Sequence, residues 1–122
     1  MYIMDIKKTV IVLLMLLAFD FIWFSVSLER IYNPLFSKIN DPGFKMRISS
    51  GLVAWTLMAI LIAYKKRSIL ENSLIGLTIY GVYNATNHAT IENWETKVAV
   101  VDTMWGTFLF ASVTYLLEKY FN

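Results

Sequence analysis

The 122-residue chain has no cysteine, a single histidine, two prolines and few charged side chains. Without cysteine, neither a disulfide framework nor a thiolate metal site can exist. Asp, Glu, Lys and Arg together make 16% of the residues, against about 25% in soluble domains. The net charge is only +2 and the basic residues form no long stripe, which argues against a nucleic-acid partner. A Gly-rich phosphate loop, a nucleophile elbow and an HExxH pair are all missing, so no recognised catalytic motif is present. No repeat, low-complexity tract or long linker divides the chain, and its length is that of one domain. Nothing in it calls for a cofactor.

What the chain does have is apolar length. Hydrophobic residues make up 57%, and the mean hydropathy is +0.55. A membrane span needs roughly 20 apolar residues at about 1.5 Å rise each. Four windows fit: Thr9–Leu28, Ile48–Tyr64, Ser68–Asn87 and Val98–Leu117. They show no strand-like alternation, so helices are expected. The predicted fold is all-α, a single integral-membrane bundle of four transmembrane helices with the lipid bilayer as its partner. The first run carries Asp20 and the fourth Asp102, and an intramembrane carboxylate marks a functional site by default. The first run can bear the charge. Its thirteen Leu, Ile, Val and Phe residues favour insertion by roughly 4 to 8 kcal/mol, against about 2.5–3.5 for a central Asp. A cleaved signal peptide is the competing reading of this run, with Ser25-Val26-Ser27 as the small-residue site, although the apolar stretch is long for that role.

The connections follow from turn and charge signals. Glu29 to Arg47 is read as a loop, turned at Asn33-Pro34 and at Asp41-Pro42-Gly43. Its Tyr32, Leu35, Phe36 and Phe44 are expected at the membrane surface. Lys65-Lys66-Arg67 makes a tight turn, with Glu71 as an ion-pair partner. Lys7, Lys8, Lys65, Lys66, Arg67 and Lys119 lie at one end, close against the helices, while Arg30, Lys38, Lys45, Arg47 and Lys97 lie at the other. The positive-inside rule then places both termini in the cytoplasm.

In that orientation the polar residues of three helices meet in the outer half of the bilayer, and the inner half is nearly all apolar. Tyr80, Tyr83, Asn84 and Asn87 follow helical spacing on one face. Thr86 and His88 lie at the same end. Asp102 is about 6 Å from the outer end of its span, on a face with Trp105 and Gly106, and Asp20, Trp23 and Ser27 share a face of the first. Lipid satisfies none of these groups, so the faces are expected to turn toward each other or toward another subunit. The candidate binding or proton-relay residues are therefore Asp20, Trp23, Tyr83, Asn84, Thr86, Asn87, His88, Asp102 and Trp105. More ordinary roles stand beside these. Tyr and Asn serve as interhelical glue, the four tryptophans as interfacial anchors, and His88 as a structural helix-end residue. Asn84-Ala85-Thr86 matches a glycosylation acceptor but lies too deep in its span for that use.

Four ordered motifs carry a resemblance. They are Asp20-x-x-Trp23, Tyr83-x-x-Thr86-Asn87, Ala89-Thr90-Ile91-x-x-Trp94 and Val101-Asp102-x-x-Trp105-Gly106-Thr107. In this the chain resembles, over essentially its whole length, a small four-span membrane family catalogued as domain of unknown function 2177. The resemblance implies a four-helix integral membrane protein and no particular reaction. One departure stands out: the family pattern usually reads Tyr-Asp-x-Thr-Asn, and here Asn84 replaces that Asp.

Three functions compete. The cluster binds or conducts a proton, a cation or a small polar solute. Conduction through so thin a wall and so apolar an inner half would need a homo-oligomer. Alternatively, Asp20 and Asp102 act as acid and base of an intramembrane enzyme on a lipid or isoprenoid, with His88 moving protons. Finally, the polar residues only fix the packing of a structural subunit. A metal held by Asp20, His88 and Asp102 with Glu92 or Glu95 is a variant of the first two, but it lacks the usual ligand spacing. No metal site is expected.

Overall fold

Helix starts are written locally in this chain. In the computed structural model, which describes residues 5–39 and 45–121, the Asp5 side chain accepts the Lys8 backbone N–H at 3.0 Å. That caps helix α1, Ile6–Ser27. Ser68 and Glu71 form a reciprocal capping box at the start of α4, Ile69–Thr90. Glu71, expected as an ion-pair partner of the basic turn, is also one half of this cap, and the charges of Lys65 and Arg67 act on its carboxylate. Arg67 of that turn donates to the Leu61 carbonyl at 2.8 Å, satisfying one of the open carbonyls near the end of α3, Ile48–Ala63. The fourth long helix is α5, Thr96–Phe121.

Three of the four apolar windows thus lie on helices whose bounds fall within a few residues of theirs. The first departs. The chain does not leave the helix at Leu28 but passes through one π-helical turn, Leu28–Tyr32, into a short helix α2, Asn33–Ile39. Pro34 does not turn the chain. It sits in the first turn of α2, where its missing N–H costs least. The expected Asp41-Pro42-Gly43 turn and Phe44 lie outside the described residues. Tyr32 and Leu35, expected on the membrane surface, are buried inside.

The π turn has a geometric effect. Asp20, Trp23 and Ser27 run down one face of α1 at helical spacing, and an unbroken α-helix would put Ile31 next on that face. A π turn takes five residues where an α turn takes four, so Tyr32 takes that place.

The long helices pack in the order α3, α1, α5, α4, with α4 and α5 the most intimate pair and few close approaches between α3 and α4. Two glycines permit the α4–α5 contact. A Cβ on Gly76 would lie 2.6 Å from the Gly106 carbonyl oxygen and 2.8 Å from the Phe110 side chain, and a Cβ on Gly106 would run into the Tyr80 ring. The apolar core fills one end of the bundle, where Val12 and Leu16 meet Ala59, Ile62 and Ala63 of α3 and Leu109, Phe110, Val113 and Leu117 of α5. That end is not wholly apolar. The buried Asn72 amide donates to Thr114 Oγ1 at 2.8 Å, linking α4 to α5. At the other end Leu35 of α2 packs on Trp94 and Val98, which closes the top of α5. Among the described residues, two stretches are long and apolar enough to cross a membrane, Ile6–Ile39 and Thr96–Phe121, and Ile48–Ala63 is apolar but shorter.

Candidate functional site

The two carboxylates are buried, Asp20 at 5% and Asp102 at 9% exposure. Each is held by hydrogen-bond donors from other elements. Asp20 Oδ2 accepts from the Trp55 indole at 2.6 Å and Oδ1 from the Trp105 indole at 2.8 Å, so one α1 carboxylate ties α3 to α5. Asp102 Oδ1 accepts from the Tyr32 hydroxyl at 2.5 Å, and Oδ2 from the Asn84 amide at 2.6 Å. It ties the π turn to α4.

A third set of contacts joins these centres. Trp23 and Trp105 stack with centroids 4.8 Å apart and planes 8° from parallel. Trp105 donates to Asp20, and Trp23 donates to the Tyr32 hydroxyl at 2.9 Å. Asn84, 1% exposed, also gives an N–H to the Tyr80 carbonyl at 2.9 Å and receives the Trp94 indole at 3.3 Å. All four tryptophans of the chain therefore donate into one network. The anchor role expected for them is not what the structure assigns: these indoles point inward. Among the described residues, no buried side-chain nitrogen or oxygen lacks a partner. The burial of Asn84 also removes it as a glycosylation acceptor.

Of the nine candidates, Asp20, Trp23, Asn84, Asp102 and Trp105 come together in this network. Tyr83 stands at its edge, 51% exposed, with its ring edge-on to Trp94 at 5.8 Å. Asn87 is half-buried one turn further on. Thr86 and His88 do not join. Thr86 is exposed and offers only its carbonyl to Thr90, and the exposed His88 ring pairs with Thr96 Oγ1 at 2.9 Å. Among the described residues no three of His, Cys, Asp and Glu assemble as metal ligands, so the Asp20–His88–Asp102 set does not form.

Sequence reasoning missed Tyr32, Trp55 and Trp94 as partners. Tyr32 had been assigned to a loop and the two tryptophans to the interface. One signal was available, because buried carboxylates need donors and the four apolar runs contain no lysine or arginine, which leaves indoles, phenols, amides and hydroxyls to supply them.

The network lines a cavity of about 370 Å³. Asp20 and Asp102 both reach it. Its walls include Trp55 and Met58 of α3, Ile79, Tyr80 and Tyr83 of α4, and Phe24, Tyr32, Phe36 and Trp94. It lies where α3 and α4 diverge, and no Lys, Arg or His stands among its described lining residues. The departure at position 84 has a local meaning here. Asn84 gives Asp102 a donor, whereas an Asp there would set two carboxylates at hydrogen-bonding distance with a proton or cation needed between them.

The family described as "Predicted membrane protein (DUF2177)" matches residues 6–117, and the chain belongs to it. It is a helical membrane protein. No curated protein and no solved structure matches it.

Proposed function

We propose that this protein crosses the bilayer four times as one domain, with both termini in the cytoplasm, and that the cavity shared by Asp20 and Asp102 binds a cation from the outer side. The observation that carries the reading is that two buried carboxylates open into one aromatic-walled cavity with no basic side chain among its described lining residues to neutralise them. Each carboxylate oxygen receives one hydrogen bond and keeps a further lone pair for a ligand. Ring faces add attraction for a cation of about 0.5–2 kcal/mol each.

Four crossings are supported by the outward faces. Leu14, Phe21 and Ile22 on α1, Leu52, Val53 and Leu57 on α3, Leu70 and Leu74 on α4, and Met104 and Phe108 on α5 are all exposed. Soluble proteins rarely show so much apolar surface. The more polar α4 answers its own hydroxyls: Ser73, Thr78 and Thr90 each donate to the carbonyl four residues back. α1 supplies Val12, Leu16, Asp20 and Ser27 to the interior, which supports a helix that stays in the bundle.

Binding is favoured over conduction because the end opposite the cavity is the packed core around Leu16, Leu109 and Phe110. The buried polar pair there, Asn72 and Thr114, meets Arg67 of the basic turn at 3.5 Å, and among the described residues no hydrogen bond links it to the carboxylate network. The test uses the purified full chain in neutral-lipid nanodiscs, titrated with tetramethylammonium and followed by tryptophan fluorescence. Saturable binding weakened about tenfold by Asp102→Asn is expected, together with no proton flux in proteoliposomes. Absence of binding to folded protein, or proton flux that disappears in Asp20→Asn, would overturn the reading.

A further inference from the structure

A second cavity shares a wall with the first. Phe24, Met46 and Trp55 line the cavity of the two carboxylates and also one of about 660 Å³ on the outside of α1 and α3. The rest of this groove is the apolar face of α1 from Leu17 to Leu28, without a charged residue. Those eleven residues of separation correspond to about 16 Å along the helix, the dimension of an extended aliphatic chain rather than of a compact solute. The shared wall includes Trp55, whose indole N–H holds Asp20, so the polar cavity and the apolar groove lie side by side across Phe24, Met46 and Trp55.

We propose that the ligand is an amphiphile with a cationic amine head and no phosphate. The head sits between Asp20 and Asp102, and the chain lies in the α1–α3 groove. The proposal deepens the cation reading above and rests on it. The composition of the site selects the head. A hard metal ion such as Mg²⁺ or Ca²⁺ asks for about six or more oxygen ligands and a softer one for His or Cys, whereas most of the described lining is aromatic or aliphatic with neither His nor Cys, and ring faces suit an alkylammonium. The size agrees, since about 370 Å³ lies within the usual range for an organic ligand site. A phospholipid head fits less well, because no Lys or Arg stands among the described lining residues of either cavity to answer a phosphate. The groove selects the tail. Phe21 is 75% and Ile22 64% exposed, a surface that in a bilayer already faces hydrocarbon, so a chain anchored by its head lies there without desolvating any polar group.

The experiment titrates the full chain in phosphatidylcholine nanodiscs with three probes, tetramethylammonium, dodecyltrimethylammonium and dodecylphosphocholine, and reads tryptophan fluorescence. The wild type is compared with Ala18→Phe, which fills the groove from an exposed position. Comparison at equal membrane loading removes the contribution of simple partitioning. The twelve-carbon ammonium is expected to bind at least about tenfold more tightly than tetramethylammonium. Ala18→Phe removes that gain and leaves tetramethylammonium binding unchanged. If tetramethylammonium binds but the chain adds nothing, or its gain survives Ala18→Phe, the ligand is a small cation, and this proposal falls while the cation reading stands. If dodecylphosphocholine binds as tightly as the ammonium, the assignment of a phosphate-free head is wrong. If neither ammonium binds to folded protein, both readings fall.

Discussion

Asp20→Asn tests the network at its least forgiving point. Both partners of Asp20 are indoles, and an indole N–H only donates. Asparagine has one acceptor oxygen, so whichever way its amide turns, its NH2 faces Trp55 or Trp105 across the 2.6 or 2.8 Å that now separates donor from acceptor. One buried N–H loses its acceptor, at about 1–3 kcal/mol, and the surviving bond loses its charge assistance, which roughly halves it. Two effects reduce the total. Interhelical hydrogen bonds measured in bilayers average only about 0.6 kcal/mol, and a neutral side chain is cheaper to bury than a charged one. The expected net destabilisation is about 1–2 kcal/mol. The measurement is reversible unfolding in mixed micelles, run as a cycle with Trp55→Phe. With Trp55 removed, the amide turns its oxygen to Trp105 and its NH2 toward the vacated side. The second change then costs less than it does alone, with a coupling of about 1 kcal/mol. Asp102→Asn is expected to cost less than Asp20→Asn, because its partner Tyr32 carries a hydroxyl that accepts as well as donates. Wild-type stability in Asp20→Asn, an additive cycle, or a larger cost for Asp102→Asn would refute the reasoning.

Other substitutions probe other parts of the fold. Gly106→Ala drives a methyl into the Tyr80 ring at the α4–α5 contact and is expected to cost about 1–3 kcal/mol, read by the same unfolding titration. His88→Ala removes only an exposed contact to Thr96; stability within about 0.5 kcal/mol of wild type is expected, with tetramethylammonium affinity unchanged. Asn84→Asp replaces the donor on Asp102 with a second carboxylate. Its thermal midpoint is expected to fall in cation-poor buffer and to recover on adding tetramethylammonium, to a greater extent than any rise in the wild type. Equal responses of the two proteins would count against a cation between the carboxylates.

The apolar runs and the basic turn were legible along the sequence because each acts over a few neighbouring residues; the cap of α4 is just as local, but Glu71 beside a basic turn reads equally well as an ion-pair partner. Ser68 and Glu71 cap α4 through backbone groups three residues away, and Lys65-Lys66-Arg67 falls where α3 ends and α4 begins. The four family motifs were legible too, and they led to the family that the match over residues 6–117 establishes. The periodicity of α4 and α5 placed Asn84 and Asp102 on facing surfaces, and their side chains meet. The continuation of the first helix past Leu28 was not legible. Pro34 reads as a turn in isolation, and nothing local announces a π turn that brings Tyr32 rather than Ile31 onto the face of Trp23. Nor was the direction of the tryptophans. An indole at a helix end suits the headgroup level as well as it suits a buried carboxylate, and the choice depends on whether a carboxylate on another helix lies within reach. Trp55 and Asp20 are 35 residues apart, and Trp105 and Asp20 are 85 apart. The sequence by itself determined that helices form, where three of them run and that buried charge must be answered. Which donor answers which carboxylate was decided only by the packing order α3, α1, α5, α4, because a hydrogen bond is a matter of a few ångströms between groups that chain position alone leaves unrelated.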